Sequence, residues 1–257
     1  MKIGVLLSVR EKATRLPGKV LKNIYDKNVT EHIIDRLKIV KNIDKIIIST
    51  STNKRDDIFE SIASSMNVEI YRGSENDKLV RYQKTASCFG LDAVIIVDGD
   101  DLLCFPEFVT LTAEALRGDK SLDVVFTKDL PLGAAASGIR KKALDKVVDL
   151  KDESDTEVWG EYFTLGENFK VEYIQATGIF NHPNIRMTLD YSEDLLFFEE
   201  IFNELYKNDR LFTSYDVMNL LINKRPDICN INAGAQKKYE KHILKTASIK
   251  FKKEDGN

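Results

Sequence analysis

Short apolar runs alternate with helix-period stretches along the first half of the chain. Residues 3–9, 45–50, 68–71, 93–97 and 124–127 are nearly continuous runs rich in Ile, Val and Leu, each bounded by polar loops. Continuous rather than alternating apolar character predicts strands buried on both faces of a parallel sheet. Between them, residues 56–66 place Ile58, Phe59, Ile62, Ala63 and Met66 on one face at helical spacing. Residues 77–89 and 108–116 follow the same period. Strand–helix–strand repetition predicts an α/β fold, a mainly parallel sheet with helices on both faces.

The pattern changes after residue 130. Residues 131–138 read as a loop of small side chains, and 140–150 as a helix. Residues 169–176 and 184–189 alternate like strands, and 192–206 and 214–223 return to helical spacing. Phe197, Phe198, Ile201, Phe202 and Leu205 make an apolar stripe, read as core or as a dimer surface. No low-complexity linker or internal repeat breaks the chain, so 1–230 is read as one domain. Residues 231–257 are read as a basic, solvated tail.

Composition narrows the function. The 257 residues carry 38 Lys and Arg against 41 Asp and Glu, a net charge of −3. That balance lacks the basic footprint of a nucleic-acid binder. No apolar run has membrane-spanning length, and the N-terminal apolar stretch reads as a first strand, too short for a signal peptide. Cys88, Cys104 and Cys229 are odd in number and widely spaced, which gives neither a disulfide framework nor a zinc site. A reducing, cytoplasmic compartment is expected.

The most informative segment is Arg10-Glu11-Lys12-Ala13-Thr14-Arg15-Leu16-Pro17-Gly18-Lys19, directly after the first strand. Ligands of α/β sheets gather at the carboxyl ends of strands. Four cations crowd this loop, and Pro17-Gly18 predicts a tight turn beside Lys19. Arginine forks and a lysine point charge match a polyphosphate. The loop fits neither a Walker A sequence nor a GxGxxG dinucleotide fingerprint.

Arg10-xxx-Thr14-Arg15-Leu16-Pro17-Gly18-Lys19-Val20-Leu21 resembles the nucleotide-binding signature of bacterial cytidylyltransferases. These enzymes activate Kdo, sialic acid and related sugar acids, and the resemblance is strongest to the spore-coat polysaccharide type. Three further motifs follow in order. They are Tyr71-Arg72-Gly73-Ser74-Glu75-Asn76-Asp77 with Val80-Arg81-Tyr82, then Val97-Asp98-Gly99-Asp100-Asp101, then Arg186-Met187-Thr188-Leu189-Asp190-Tyr191-Ser192-Glu193-Asp194-Leu195. The resemblance covers most of residues 1–225. It implies a Rossmann-like nucleotidyltransferase fold of the GT-A-like type, with residues 130–190 as an acceptor-side and dimerisation arm of a homodimer.

The implied reaction moves CMP from CTP to a small acceptor and releases pyrophosphate, making an activated precursor for a capsule or other surface glycan. Phosphate charge must be neutralised, and the protein contributes positioning and electrostatics. On that reading Arg15, Lys19 and Asp100 are catalytic, with Arg10, Lys12, Ala13 and Thr14 also on the nucleotide. Asp100 and Asp190 share a Mg²⁺, while Asp98 and Asp101 lie beyond its direct ligands. Ser49, Thr50, Ser51, Arg72, Ser74 and Arg81 contact base and ribose.

The sequence departs from the family in the acceptor region. Relatives carry acidic residues after a glycine where this chain reads Gly133-Ala134-Ala135-Ala136-Ser137-Gly138, followed by Arg140-Lys141-Lys142. Loss of carboxylates and gain of cations suit a more anionic acceptor, a phosphorylated or phosphonate small molecule; the alternative is a nonulosonic or Kdo-like sugar acid. Ala13 replaces a small hydroxyl residue and Tyr162 a histidine. Two other readings stay open. Asp98-Gly99-Asp100 is also the DxD pattern of metal-dependent glycosyltransferases, and the alanine replacements suit a non-catalytic nucleotide-binding module.

Overall fold

The computed structural model describes residues 1–207, 210–246 and 250–252. The elements run in chain order as β1 (Ile3–Ser8), β2 (Asn23–Ile24), β3 (Lys27–Asn28), α1 (Val29–Lys38), β4 (Lys45–Ser51), α2 (Ile58–Ser65), β5 (Glu69–Gly73) and α3 (Lys78–Cys88). They continue as β6 (Ala93–Asp98), α4 (Pro106–Gly118), β7 (Val124–Lys128), β8 (Ser137–Arg140), α5 (Lys141–Leu150), α6 (Glu161–Thr164) and β9 (Val171–Gln175). Last come α7 (Ser192–Leu205), α8 (Ser214–Asn219) and α9 (Ala233–Thr246).

Among the described residues one seven-stranded sheet has the order β5-β4-β1-β6-β8-β7-β9. β5, β4, β1 and β6 are mutually parallel, as the continuous apolar runs predict. β8 runs antiparallel to both β6 and β7, and β9 pairs parallel with β7. Side chains alternate between two apolar layers. Val5, Leu7, Ile95 and Val97 face the core shared with α1, α4 and α7, while Leu6, Val94 and Ile96 face α3 and α5. Both faces are therefore covered by helices.

Register positions the loops. Ser8 pairs with both Ser49 and Asp98, so β1 and β6 end together, β4 runs two residues further, and their following loops share one edge. The antiparallel β8 reverses this. Ser137 lies opposite Ile96, but Arg140 lies opposite Ala93, at the amino end of β6.

Several expectations change in the structure. Residues 184–189 form no strand; a single bridge joins Leu132 to Arg186. Gly133, at φ +92°, turns the chain away there, and a Cβ on it would sit 2.3 Å from the Met187 carbonyl oxygen. The small-residue loop ends two residues early, because Ser137 and Gly138 belong to β8. The helix over 214–223 becomes α8 followed by a π-helical turn, Leu220–Lys224. α1, not singled out by periodicity, starts at a capping box between Asn28 and Glu31. The apolar stripe of α7 is core: Phe197, Phe198, Ile201 and Phe202 are buried.

The segment after 230 is not a solvated tail over its described part. α9 packs on the body, and Phe251 bridges Lys151 and sets its ring 5.3 Å from Tyr162. Residues 253–257 of the expected tail lie outside the described residues. Cys88, Cys104 and Cys229 are all free. Among the described residues no helix is long and apolar enough to cross a membrane.

Candidate functional site

A cleft of about 280 Å³ opens over the carboxyl ends of β1 and β6. Its wall holds Arg10, Lys12, Arg15, Lys19, Lys78 and Arg81 against Asp98, Asp100, Glu157 and Asp190. Cations therefore outnumber carboxylates, as an anion site requires.

The loop after β1 is built to aim Lys19 inward. Gly18 adopts φ +64°, and the Lys19 amide closes onto the Leu16 carbonyl at 3.1 Å. The Lys19 ammonium then lies 2.8 Å from Asp100 Oδ2 and 2.9 Å from Asp190 Oδ1. Burial would lower the Lys19 pKa, but Asp100 and Asp190 outweigh it and raise it. Asp100 stands two residues past the end of β6, and its carbonyl accepts from the Leu189 amide at 2.9 Å. That bond brings Asp190 beside Asp100 across ninety positions of sequence.

Asp190 is the most enclosed carboxylate of the cleft. Oδ1 accepts from Lys19 and Arg15, and Oδ2 from Arg186 at 3.0 Å. Burial pushes its pKa up, yet the Lys19 charge and the Arg15 bond hold it down at about 2. Arg186 is itself fixed by Asp194, at 2.9 and 3.0 Å. Burial acts to lower the Arg15 pKa, and Asp190 more than compensates.

Two donors of the cleft await a partner. Among the described residues, Arg15 Nε and Arg81 Nε are buried without one. Arg81 otherwise donates to the Ser74 carbonyl at 2.7 Å and to Ser8 Oγ at 3.2 Å. Arg10 Nη1 donates to the Glu75 carbonyl and Nη2 to Glu157 Oε2, both at 2.7 Å. Lys12 reaches Glu75 at 3.3 Å from the rim, and Ala13 and Thr14 line the wall between them.

Of the other expected residues, Asp98 is in the cleft but faces the Lys78 ammonium at 3.3 Å, not Asp100's partners. Ser49, Thr50, Ser51, Arg72 and Ser74 do not line it. Ser49 and Thr50 are fully buried in β4, and Ser51 Oγ bonds Asp56. Arg72 pairs with Asp57 at 2.5 Å and Glu60 at 2.6 Å, and Ser74 Oγ accepts from the Asp77 amide. Ser49, Thr50 and Ser51 all lie within β4 and are closed to water, so they are covered rather than presented.

The expected acceptor cations also point elsewhere. Arg140 caps the end of α4, donating to the carbonyls of Leu116, Leu122 and Asp119. Lys141 pairs with Asp145 and Lys142 with Asp123. Antiparallel β8 puts all three at the edge opposite the cleft, and Ala134 and Ala136 are core. The charge argument for an anionic acceptor therefore has no support in the geometry.

A family model described as "Cytidylyltransferase" matches residues 5–222, most of the chain. The chain belongs to the cytidylyltransferase family. An uncharacterized protein of Methanocaldococcus jannaschii is 29% identical over 247 residues, 95% of this chain and 99% of that protein. The spore coat polysaccharide biosynthesis protein SpsF of Bacillus subtilis is 26% identical, covering 86% of this chain and 94% of its own. A cytidylyltransferase structure from Leptospira borgpetersenii superposes with a TM-score of 0.81 at 22% identity, over 89% of this chain and 97% of that one. This cytidylyltransferase is thus a nucleotidyltransferase with the fold its motifs implied.

The cytidylyltransferase cleft holds two residues that sequence reasoning missed. Lys78 sits one helical turn before Arg81, inside a motif already singled out, so spacing carried a signal for it. Burial would lower its pKa, but Asp98 leads the neighbours that raise it. Glu157 comes from the loop between α5 and α6 and lies 3.2 Å from Lys78. Nothing in its local sequence marks it. Trp159, the single tryptophan of the sequence, packs against Tyr82, Phe126 and Phe163 rather than lining the cleft.

Proposed function

We propose that the chain transfers CMP from CTP to a small acceptor and releases pyrophosphate. The observation that carries this reading is the convergence of Lys19 on Asp100 and Asp190 beside the unpartnered Arg15 Nε. An acceptor oxygen attacks the α-phosphorus in line. Its bond to phosphorus forms as the bond to the bridging oxygen breaks, and pyrophosphate leaves with the electron pair. Arg10, Arg15 and Lys19 neutralise the charge on the leaving phosphates, with Lys12 at the mouth and Arg81 on the opposite wall.

The donor set suits a hard divalent cation. Asp100 and Asp190 both approach one point, marked by the Lys19 ammonium, and among the described residues no third His, Cys, Asp or Glu completes a protein cage. One or two carboxylates with phosphate oxygens and water are what Mg²⁺ takes. Asp100 and Asp190 would hold it, and it would supply charge neutralisation at the α-phosphate. Asp98 belongs to Lys78 instead, which argues against a DxD pair and the glycosyltransferase reading.

The acceptor is a small molecule, and the product is an activated precursor for a surface glycan, made in the cytoplasm where CTP is available. The name of the Bacillus subtilis relative supports the pathway class. We also read the enzyme as a homodimer joined through residues 130–190. The test is pyrophosphate release with CTP, Mg²⁺ and a panel of sugar acids, phosphorylated compounds and phosphonates. Turnover with one acceptor, abolished in Asp100→Ala, is expected. No release and no Mg²⁺-dependent CTP binding would overturn the reading.

A further inference from the structure

The family match ends at residue 222, yet the chain runs on into α9, which lies against the back of the cleft. The approach is anchored by polar contacts. Buried Asn232 donates to the Arg186 carbonyl at 3.1 Å and to Asp194 Oδ1 at 2.9 Å. Gln236 accepts from Arg186 Nη1 at 3.1 Å. One helical turn beyond Gln236 stands Tyr239.

The Tyr239 ring centroid lies 5.8 Å from the Arg15 guanidinium carbon and 5.2 Å from that of Arg186. These are the two arginines that grip Asp190. The Tyr191 ring stands at 5.8 and 5.7 Å from the same two groups. Both guanidiniums thus have aromatic neighbours from two different elements, at distances where a ring quadrupole attracts a cation. Arg15 is the one of the pair that lines the cleft, and its buried Nε has no partner. A long side chain in that position needs its rotamer fixed to present a donor without entropic loss.

We infer that Tyr239 is a positioning residue. α9, beyond the stretch that the family model matches, is a brace that uses this ring to fix Arg15 for a polyphosphate. The inference rests on the nucleotide reading of the cleft. It assigns the C-terminal helix a part in substrate affinity, which neither family membership nor the shared motifs supply.

The experiment uses the full chain with Tyr239→Leu and Tyr239→Phe. Binding of inorganic tripolyphosphate with Mg²⁺ is measured by calorimetry, beside thermal unfolding and the KM for CTP. Tyr239→Leu is expected to weaken tripolyphosphate binding roughly tenfold and raise KM similarly, with the unfolding midpoint nearly unchanged. Tyr239→Phe, which keeps the ring, is expected to bind as the wild type does. Adding Tyr239→Leu to Arg15→Met is expected to have no further effect, since both act through one guanidinium. Should Tyr239→Leu fail to fold, Tyr239→Met serves the same comparison. Equal binding by wild type and Tyr239→Leu, equal loss in Phe and Leu variants, or additivity with Arg15→Met would overturn the brace alone. A wild-type chain that binds neither tripolyphosphate nor CTP would overturn the nucleotide reading and the brace with it.

Discussion

The Lys151 ammonium lies 2.5 Å from Asp77 Oδ2, and both side chains are nearly closed to water. The same carboxylate caps α3 through the Val80 amide at 3.0 Å and accepts from Thr156 Oγ1 at 3.1 Å. One side chain therefore starts a helix and pins the loop that carries Glu157. Removing either partner leaves a buried charge without its mate. Lys151→Ala is expected to cost about 3 kcal/mol, read as a lower midpoint in urea unfolding. A loss below about 1 kcal/mol would mean the pair is solvated in solution.

Glu157 competes with any anion for Arg10 and Lys78. Burial acts to raise its pKa, but those two cations hold it below the ordinary carboxylate range, so it is charged at neutral pH. Glu157→Gln is expected to tighten pyrophosphate binding several-fold by calorimetry, because the anion no longer displaces a counter-ion. Trp159, the single tryptophan, lies two residues away and reports the loop's movement by fluorescence. Weaker binding in the variant would mean Glu157 contacts the ligand favourably instead.

Asp100 and Asp190 should differ when removed. Asp100 is partly exposed and holds Lys19, whereas Asp190 is enclosed and is shared by Arg15, Lys19 and Arg186. Both alanine variants are expected to lose at least about 100-fold in pyrophosphate release. Only Asp190→Ala is expected to lower the thermal midpoint by several degrees, since it leaves Arg15 without a carboxylate and takes one of two from Lys19 and Arg186. Equal midpoints for the two variants would contradict the enclosure argument.

Gly133 tests the turn before β8. A side chain there must tolerate φ +92° and displace the Met187 carbonyl. Gly133→Ala is expected to destabilise by more than about 2 kcal/mol and to loosen the Leu132–Arg186 bridge behind Asp190. Wild-type stability in this variant would mean the loop has an alternative path.

His32 supplies a pH dependence outside the cleft. Its Nε2 donates to the Ile24 carbonyl at 2.8 Å, and the ring packs on Phe202 and Tyr206. Burial lowers its pKa; the Ile24 bond, Asp26 and Asp35 oppose this, and Lys27 adds to it. Between the depressed folded value and the unfolded value of about 6.5, the unfolded chain binds more protons. Stability from this group is therefore full above about pH 6.5 and falls as pH drops through the folded pKa. In His32→Gln the slope of unfolding midpoint against pH should flatten below about pH 6.5, as measured by calorimetry at stepped pH. An unchanged slope would place the acid sensitivity elsewhere.

The chain's own order of residues determined the parallel half of the sheet and the cation-rich loop at its carboxyl edge. Those features are local: apolar runs at strand length, a Pro-Gly turn, and carboxylates just past strand ends. Arg15, Lys19 and Asp100 follow such runs, but that they meet Asp190 was implied by the resemblance of their motifs, and the structure brings the four together. Ser49, Thr50 and Ser51 were misjudged because a strand end is presented or covered according to what packs over it. Arg140, Lys141 and Lys142 were misplaced because β8 enters the sheet antiparallel, which one strand's sequence does not state. Glu157 reaches the cleft from a loop that Thr156 ties to Asp77, and Tyr239 reaches Arg15 and Arg186 only through the packing of α9, contacts that span scores of positions. Local periodicity sets which segments are strands and helices, because it depends on near neighbours along the chain. Which charged side chains meet is decided by packing and strand direction, and only the tertiary structure holds that information.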